Sequence, residues 1–356
     1  MAFLRNCWYM AFWSQDIPEQ KLVTRRILDE PLVFFRNASC AVSALVDACP
    51  HRYAPLSMGR LSADGMQVQC GYHGLVFDGS GTCVRNPHAS GRIPPHSTVR
   101  AYEVVERHSI AWIWMGDQPA DAGLIPDFSL LDEADPADVS HRDWMRMDAN
   151  YMLINENLLD LSHASVLHAG ILGNDEMIPA KIEVRQENRR LWVTRFMPGV
   201  PAPSLYDQLF ERDGGIVDIW AEQRWDCPGC FINDTGATKP GAPRARGTGV
   251  FGTHFLTPET ESTTHYHFCA IRQNPRRWGE PVDSEIRSII SNLRRQAFEF
   301  EDKAIIDAQQ RNLDDPAIDK THPVVLEVDV GPARCRRMMA EMIEAERATA
   351  GERATR

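Results

Sequence analysis

Two short segments that each pair a cysteine with a histidine constrain this chain more than any other feature. They are Cys49-Pro50-His51 and Cys70-Gly71-Tyr72-His73, and eighteen residues separate His51 from Cys70. Two thiolates and two imidazoles can bind one Zn²⁺ tetrahedrally, or they can hold a two-iron cluster. Common zinc modules pair two cysteines and then two histidines, whereas each segment here contributes one residue of each type.

This alternation favours an iron–sulfur cluster over zinc. In the Rieske [2Fe-2S] centre one iron has two cysteine ligands and the other has two histidine ligands. Neutral imidazoles raise the reduction potential to about −150 to +300 mV, against roughly −400 mV for plant-type ferredoxins. We therefore expect a cluster that accepts electrons readily and passes them on. A zinc site and four unrelated residues are the alternatives.

The residues around these segments predict a small antiparallel β domain. Strand-like runs lie at 32–35, 41–46, 66–70, 75–77 and 110–114, separated by turns. The stretch 117–138 is rich in Asp, Pro and Ala, which is typical of a linker. With 356 residues the chain can bury two cores. We predict a first domain at 1–116, a linker at 117–140 and a second domain at 141–356.

The second domain is predicted to be α+β. Longer strand candidates lie at 181–184, 191–196, 216–225, 249–256 and 263–271. The run 284–310 carries apolar residues at three- and four-residue spacings, which predicts one long amphipathic helix. An antiparallel sheet that holds a long helix suits a domain with an internal cavity. A last amphipathic segment, 334–347, is expected at the surface or at a subunit contact rather than on a membrane.

The segment 157–168 places Asp160, His163 and His168 within an apolar frame. Buried polar side chains need partners, and these histidines could simply be core residues bonded to backbone carbonyls. Asp160 and His163 would share a face if they stood one helical turn apart. Five residues of ideal helix rotate His168 well away from His163. We therefore expect the segment to bend or unwind if both histidines bind one metal.

A carboxylate on the long helix could complete such a metal site. Two neutral histidines and one carboxylate, with open positions, are the ligands that Fe(II) needs to bind dioxygen. Asp302 would supply the carboxylate, and its neighbour Glu301 competes for that role because spacing alone does not separate them.

Composition limits the partners. The formal net charge of −11 opposes nucleic-acid binding. No apolar run approaches the roughly 20 residues of a membrane span, and the amino terminus lacks the features of a signal peptide. Nine cysteines, an odd number, indicate reduced thiols rather than a disulfide framework. The motif Cys227-Pro228-Gly229-Cys230 is interpreted as a turn. We predict a cytoplasmic protein with a small-molecule substrate, no nucleic acid and no membrane.

Several segments together resemble the oxygenase component of Rieske non-haem iron oxygenases, of the vanillate O-demethylase and dicamba monooxygenase type. The matching segments are Asn6–Tyr9, Cys49–Arg52 with Ala54–Ser57, Cys70–Leu75, Asn157–His163 and Glu301-Asp302. The likeness covers nearly the whole chain. It implies an all-β Rieske domain, a helix-grip (START-like) catalytic domain with an antiparallel sheet and a long C-terminal helix, and a homotrimer.

The resemblance also implies roles for individual residues. Cys49 and Cys70 would hold one cluster iron, and His51 and His73 the other. His163, His168 and Asp302 would hold the mononuclear Fe(II). Asp160 matches an aspartate that links this iron to the cluster histidine, His73, of a neighbouring subunit. Asn157 matches an asparagine near the iron, although a purely structural polar residue is an alternative.

Three further positions concern the substrate. Asn233 and His254 resemble positions that contact an aromatic acid, and their alternative is a place on the sheet surface. Leu293 falls where the dicamba enzyme has a tryptophan over its substrate, which indicates a differently shaped pocket.

The predicted function is O₂-dependent O-demethylation of a methoxylated aromatic acid. The chain has no convincing nucleotide motif, so NAD(P)H would act only through a separate reductase of the flavin or ferredoxin type. Hydroxylation of a ring, a methyl or an N-methyl group is an alternative. In a different class, the chain could be an electron-carrying Rieske domain joined to a ligand-binding module, or a zinc-stabilised binding protein.

Overall fold

The computed structural model describes residues 3–354, with side chains described as far as residue 349. The chain separates into two compact units. The first runs to Asp132 and includes the short segment Thr257–Glu261; the second contains Glu133–Leu256 and the chain from Ser262 onward. The division at Asp132 lies inside the stretch 117–140 that the sequence predicts as a linker.

The first unit is built of three small antiparallel sheets, which confirms the all-β prediction. Its strands are β1 (Trp8–Trp13), β2 (Val23–Ile27), β3 (Glu30–Arg36), β4 (Val42–Val46), β5 (Arg60–Leu61), β6 (Gln67–Gln69), β7 (Val76–Asp78), β8 (Cys83–Arg85), β9 (Ala101–Tyr102), β10 (Val104–Arg107) and β11 (Ile110–Trp114). The sheet orders are β1-β11-β10, β2-β3-β4-β9 and β5-β6-β7-β8. Strand β1 has no alternation because all six of its residues are buried.

The two segments that pair a cysteine with a histidine are connections between strands. The loop with Cys49 leads from β4 to β5, and the loop with Cys70 joins the hairpin neighbours β6 and β7. Both thiols belong to one apolar core with Val33, Phe35 and Phe77. Packing of the strands therefore fixes where the two loops begin.

The second unit contains a seven-stranded antiparallel sheet, of order β12-β18-β17-β16-β15-β14-β13. Its strands are β12 (Asp143–Met147), β13 (Ile182–Glu187), β14 (Arg190–Pro201), β15 (Ile216–Asp226), β16 (Cys230–Thr238), β17 (Thr248–Thr260) and β18 (Thr263–Gln273). The turn predicted at Cys227-Pro228-Gly229 joins β15 to β16. Helix α1 (Leu130–Glu133) spans the division at Asp132. The helices of the second unit are α2 (Tyr151–Leu159), α3 (Ser204–Leu209), α4 (Val282–Arg295), α5 (Lys303–Asp314) and α6 (Val330–Ala354).

The long helix of the sequence prediction is not one uninterrupted α-helix. A seven-residue π-helix, Gln296–Asp302, separates α4 from α5. Apolar spacing does not reveal it, because residues three and four positions apart are compatible with either kind of helix. Short π segments inside helices are frequent at functional sites, and this one ends at Asp302.

The predicted unwinding between the two histidines is confirmed. Helix α2 ends at Leu159, Asp160 follows with φ −90° and ψ 93°, and His163–Ser165 forms a short 3₁₀ turn. Asp160 and His163 do not stand one turn apart on a single helix, since Asp160 is the C-cap residue of α2.

Helix α6 belongs to the core of its unit along part of its length. Its side chains Cys335, Met338 and Met339 are buried, and the helix packs against α2 and β14. Among the described residues, no helix is both long and apolar enough to cross a bilayer. Over the same range all nine cysteines are free thiols.

Candidate active site

The two cluster loops have the same backbone design. The N–H of Cys49 donates to the carbonyl of Ala54 (2.9 Å), and the N–H of Cys70 donates to the carbonyl of Leu75 (2.8 Å). Each cysteine carbonyl accepts from the residue four positions later, Tyr53 in one loop and Gly74 in the other. Both of those residues have positive φ, 57° and 73°. Each loop thus folds back tightly and returns its histidine beside its cysteine.

The four side chains separate into a buried sulfur pair and a surface imidazole pair. Cys49 and Cys70 are 1% and 2% exposed, whereas His51 is exposed and His73 half-buried. The imidazole rings of His51 and His73 lie 4.5 Å apart between centroids. Burial raises the pKa of the Cys49 thiol to about 11, while the N–H groups of His51 and Arg52 donate to its sulfur. Sulfur on the inside, imidazole outside and N–H donors to sulfur suit a Rieske cluster.

The second candidate centre assembles from two distant parts of the chain. One ligand atom each from His163, His168 and Asp302 lies within 4.8 Å of the others. The Nε2 atoms of His163 and His168 are 3.6 and 3.2 Å from Oδ1 of Asp302. His168 and Asp302 are buried, at 1% and 3% exposed. The structure brings together the three residues that the resemblance implied.

The other ring nitrogen of each histidine is already engaged. Nδ1 of His163 bonds to the backbone carbonyl of Asp160, whose carboxylate Oδ2 lies 3.8 Å from it. Nδ1 of His168 lies 2.6 Å from Oε2 of Glu301. Such partners fix the tautomer and the ring orientation of metal-binding histidines. Each Nε2 is thereby directed at Asp302, and Glu301 supports His168 from the opposite side.

The charges at this site favour a cation. Burial alone lowers the pKa of His168, but the carboxylates of Asp302 and Glu301 raise it above its usual value. Asn157 donates from Nδ2 to Oδ1 of Asp302 at 3.1 Å, which orients the carboxylate. Two imidazoles and one carboxylate with open positions match the facial triad of non-haem Fe(II) oxygenases. The donor set therefore fits iron.

Arg195 of β14, which sequence reasoning missed, holds the unwound segment in place. Its guanidinium donates to the carbonyls of Leu161 (2.8 Å), Met177 (2.5 Å) and Ile178 (3.2 Å), and the residue is 2% exposed. Burial lowers its pKa, and Asp160 opposes that effect. The only signal in the sequence was a charged residue within a predicted strand. Its partners are backbone carbonyls, and residue types do not reveal these.

A cavity lies against the histidine–carboxylate site. Its volume is about 1100 Å³, including space open to solvent, and its wall is mostly apolar. Asn157, His163, His168 and Asp302 form part of this wall. Apolar walls with few convergent polar groups are typical of small-molecule pockets. A substrate in this cavity would lie next to the candidate metal.

Two of the predicted substrate residues, Asn233 and His254, line the cavity. Nδ1 of His254 lies 2.8 Å from the hydroxyl of Tyr266. Burial, together with the Arg294 guanidinium, lowers the pKa of His254 to about 3, so the imidazole is neutral. In the tautomer in which the Tyr266 hydroxyl donates to Nδ1, the proton lies on Nε2, and His254 can then donate from Nε2.

The third predicted substrate residue, Leu293, is not among the described residues that line the cavity. From α4 and the π-helix the cavity wall receives Ile290, Arg294, Ala297 and Phe298. Leu293 packs instead against an apolar cluster of Leu205, Leu209 and Val250. Two of these neighbours, Leu205 and Val250, line the cavity themselves.

Gln223 of β15 is a further cavity residue that the sequence did not single out. It is 1% exposed and lines the cavity. A glutamine inside a strand gives no signal of its own until the direction of its side chain is known.

A cluster-binding β domain and a catalytic domain with a two-histidine, one-carboxylate site define an iron-dependent oxygenase of the Rieske class. Family models match both parts, the Rieske [2Fe-2S] domain at residues 7–103 and the vanillate O-demethylase oxygenase C-terminal domain at residues 147–345. The chain belongs to this family of oxygenase components.

Individual relatives are similar to this chain over nearly its whole length. The chain is 36% identical to the dicamba O-demethylase oxygenase component of Stenotrophomonas maltophilia, over 98% of this chain and 100% of that protein. It is 34% identical to the iron–sulfur subunit of a toluene-4-sulfonate monooxygenase system of Comamonas testosteroni, over 97% and 98%. A crystal structure of dicamba monooxygenase bound to 3,6-dichlorosalicylic acid superposes with a TM-score of 0.89 at 34% identity, covering 98% and 100% of the two chains.

The family match and the ligand residues at the two sites together identify the cofactors. The protein is an enzyme that uses a Rieske [2Fe-2S] cluster and a mononuclear non-haem iron.

Proposed function

We propose that this protein carries out O₂-dependent O-demethylation of a methoxylated aromatic acid, as the oxygenase component of a system with a separate reductase. The observation that carries the proposal is the placement of His163, His168 and Asp302 in the wall of an apolar cavity with a few polar groups.

The chain's own residues bind and orient the substrate. Its aromatic ring would pack among apolar side chains such as Met197 and Phe298. The acid group would accept hydrogen bonds from Nε2 of His254 and from the amide of Asn233. Binding of the acid group at Asn233 and His254 would hold the methoxy group toward the iron ligands. Such positioning can lower the activation barrier by several kcal/mol.

When bound, the mononuclear iron supplies dioxygen activation and oxygen insertion into the methyl C–H bond. The hydroxylated methoxy group then breaks its C–O bond, which releases formaldehyde and leaves a phenol. One O₂, two electrons and two protons are consumed, and the second oxygen atom leaves as water. The electrons come from NAD(P)H through a reductase of the flavin or ferredoxin type.

We further propose a homotrimer in which Asp160 receives His73 of a neighbouring subunit. Oδ1 of Asp160 accepts from the N–H of Ser162 at 2.8 Å, whereas Oδ2 makes no hydrogen bond to the described residues. A surface groove lined by Asp160 and His163 also contains Val324 and Val325, which are 85% and 72% exposed. Exposed apolar residues beside an acceptor suit a subunit interface.

Formaldehyde release tests the main proposal. The purified oxygenase, with a surrogate reductase, NADH and a panel of methoxybenzoates, should form formaldehyde and the matching phenol in equal amounts. His168→Ala should form neither. Hydroxylated products without formaldehyde, from every compound in the panel, would refute O-demethylation and favour a hydroxylase.

Asp160→Asn tests the intersubunit arrangement. This variant should retain both metals but fail to transfer electrons in a single turnover, because the amide is a poorer acceptor for an imidazole N–H. Normal transfer in the variant would remove Asp160 from the route.

A further inference from the structure

Gln223 is a buried amide with no partner. It is 1% exposed, it lines the cavity, and neither Oε1 nor Nε2 has a hydrogen-bond partner among the described residues. Buried polar side-chain atoms nearly always have one, because burial without a hydrogen bond costs about 1–3 kcal/mol. The side chain has therefore one donor group and one acceptor available to a molecule in the cavity.

The sheet places Gln223 in one row with the other polar groups of the cavity. Gln223 lies opposite Asn233 on β16, and Asn233 lies opposite Gly252 on β17. Residues opposite each other on neighbouring strands project to the same face, as does His254, two positions beyond Gly252. Oδ1 of Asn233 is also buried without a partner.

Gly252 keeps this row open. A Cβ at that position would lie 2.9 Å from Nε2 of His254 and 3.5 Å from Cβ of Asn233. The missing side chain leaves room for a ligand group between the amide and the imidazole.

The row is uncharged, and most N–H groups of the two arginines in the wall are engaged. Arg195 donates to backbone carbonyls. Arg294 donates to Ser140 (2.7 Å) and Asp143 (2.5 Å), although its Nε has no partner. Recognition at Gln223 thus depends on hydrogen-bond donors and acceptors and not on a full charge.

Because both the Nε2 donor and the Oε1 acceptor of Gln223 are available, the side chain favours a substituent that can accept and donate. A carboxylate or a methoxy oxygen only accepts, and a chlorine offers neither function, so each leaves Oε1 of Gln223 unpaired. A hydroxyl or a primary carboxamide both donates and accepts. We propose that Gln223 is a specificity-determining residue that recognises a neutral, donating and accepting substituent on the ring of the aromatic acid. This inference rests on the proposed function, in which Asn233 and His254 bind the acid group.

The test uses methoxybenzoates that differ in one substituent. The holoenzyme with a surrogate reductase is given 3-methoxybenzoates with a hydroxyl, a carboxamide or a chlorine at the 4-position, and then at the 5-position. At one of these positions the wild type should prefer the hydroxyl or the carboxamide over chlorine in kcat/KM by about tenfold or more, since a buried hydrogen-bonding site rejects a partner that leaves it unpaired. Comparison of the hydroxyl compound with the carboxamide compound then shows which of the two substituents fits the site.

Gln223→Leu should bring that ratio to about one, chiefly by slowing the hydroxyl or carboxamide compound. Gln223→Met provides a second apolar replacement if the leucine variant does not fold. The matched control is Gln186→Leu, the same change at an exposed position of β13, which should preserve the wild-type ratio.

Binding separates this inference from the proposed function. Dissociation constants of the same probes, measured anaerobically without turnover, should show the same preference and its loss in Gln223→Leu. An unchanged ratio in Gln223→Leu, or no preference in the wild type, overturns the role of Gln223. Preferential binding without formaldehyde from any probe would instead overturn O-demethylation and leave the role of Gln223 supported.

Discussion

The two candidate metal sites of this protein are held by different means. Each cluster loop positions its cysteine and histidine through backbone hydrogen bonds that close within six residues. The mononuclear site depends on side-chain bonds between distant segments, from Glu301 to His168 and from Asn157 to Asp302. The first kind of site is encoded locally, whereas the second exists only once the catalytic unit has folded. Variants should therefore damage the two sites independently.

Asp302→Ala should have the largest effect. Loss of the only carboxylate within 4.8 Å of both histidine ligands in the described structure should abolish mononuclear iron binding and turnover, with the visible spectrum of the cluster unchanged. Iron analysis and formaldehyde assay measure the two outcomes. Retained turnover would mean that another carboxylate serves as the ligand.

Arg195→Met should destabilise the catalytic unit by about 3 kcal/mol, since it leaves several buried carbonyls without donors. Denaturant unfolding followed by tryptophan fluorescence measures the change. Arg246→Met, at an exposed position of the same unit, is the control and should shift stability by less than about 0.5 kcal/mol. Equal losses in both variants would contradict the account of Arg195.

Glu301→Ala should weaken iron binding by about 10–100-fold without abolishing it, because Glu301 orients His168 and does not replace Asp302. Titration of the apo mononuclear site with Fe(II) gives the affinity. An effect as large as that of Asp302→Ala would make Glu301 the ligand.

Gly74→Ala should have the smallest effect, a loss of about 1 kcal/mol from the first unit, because φ of 73° disfavours a Cβ. Tyr53→Ala is its matched control, since Tyr53 already has a side chain at φ 57° and should change little. The denaturant concentration at which half of the cluster absorbance is lost is measured for both variants and compared. A more harmful Tyr53→Ala would refute the shared loop design.

The sequence predicted the parts of this protein that are local. The cysteine–histidine loops, strand β11 and the unwinding before His168 all follow from spacing and residue type. Strand β1 was missed although it is as fully buried as β11, and the π-helix was missed because apolar residues at three- and four-residue spacings fit an α-helix equally well. Arg195 and Gln223 escaped notice because their roles depend on which way a strand side chain projects, and a shift of one residue reverses that direction.

Iron and acid-labile sulfide analysis of the wild type, His168→Ala and His73→Ala tests the independence of the two sites most directly. The account predicts about three irons and two sulfides per wild-type chain. His168→Ala should contain about two of each, and His73→Ala should lose the cluster irons and sulfides but keep the mononuclear iron. Loss of sulfide from His168→Ala, or an unchanged iron content in that variant, would contradict it.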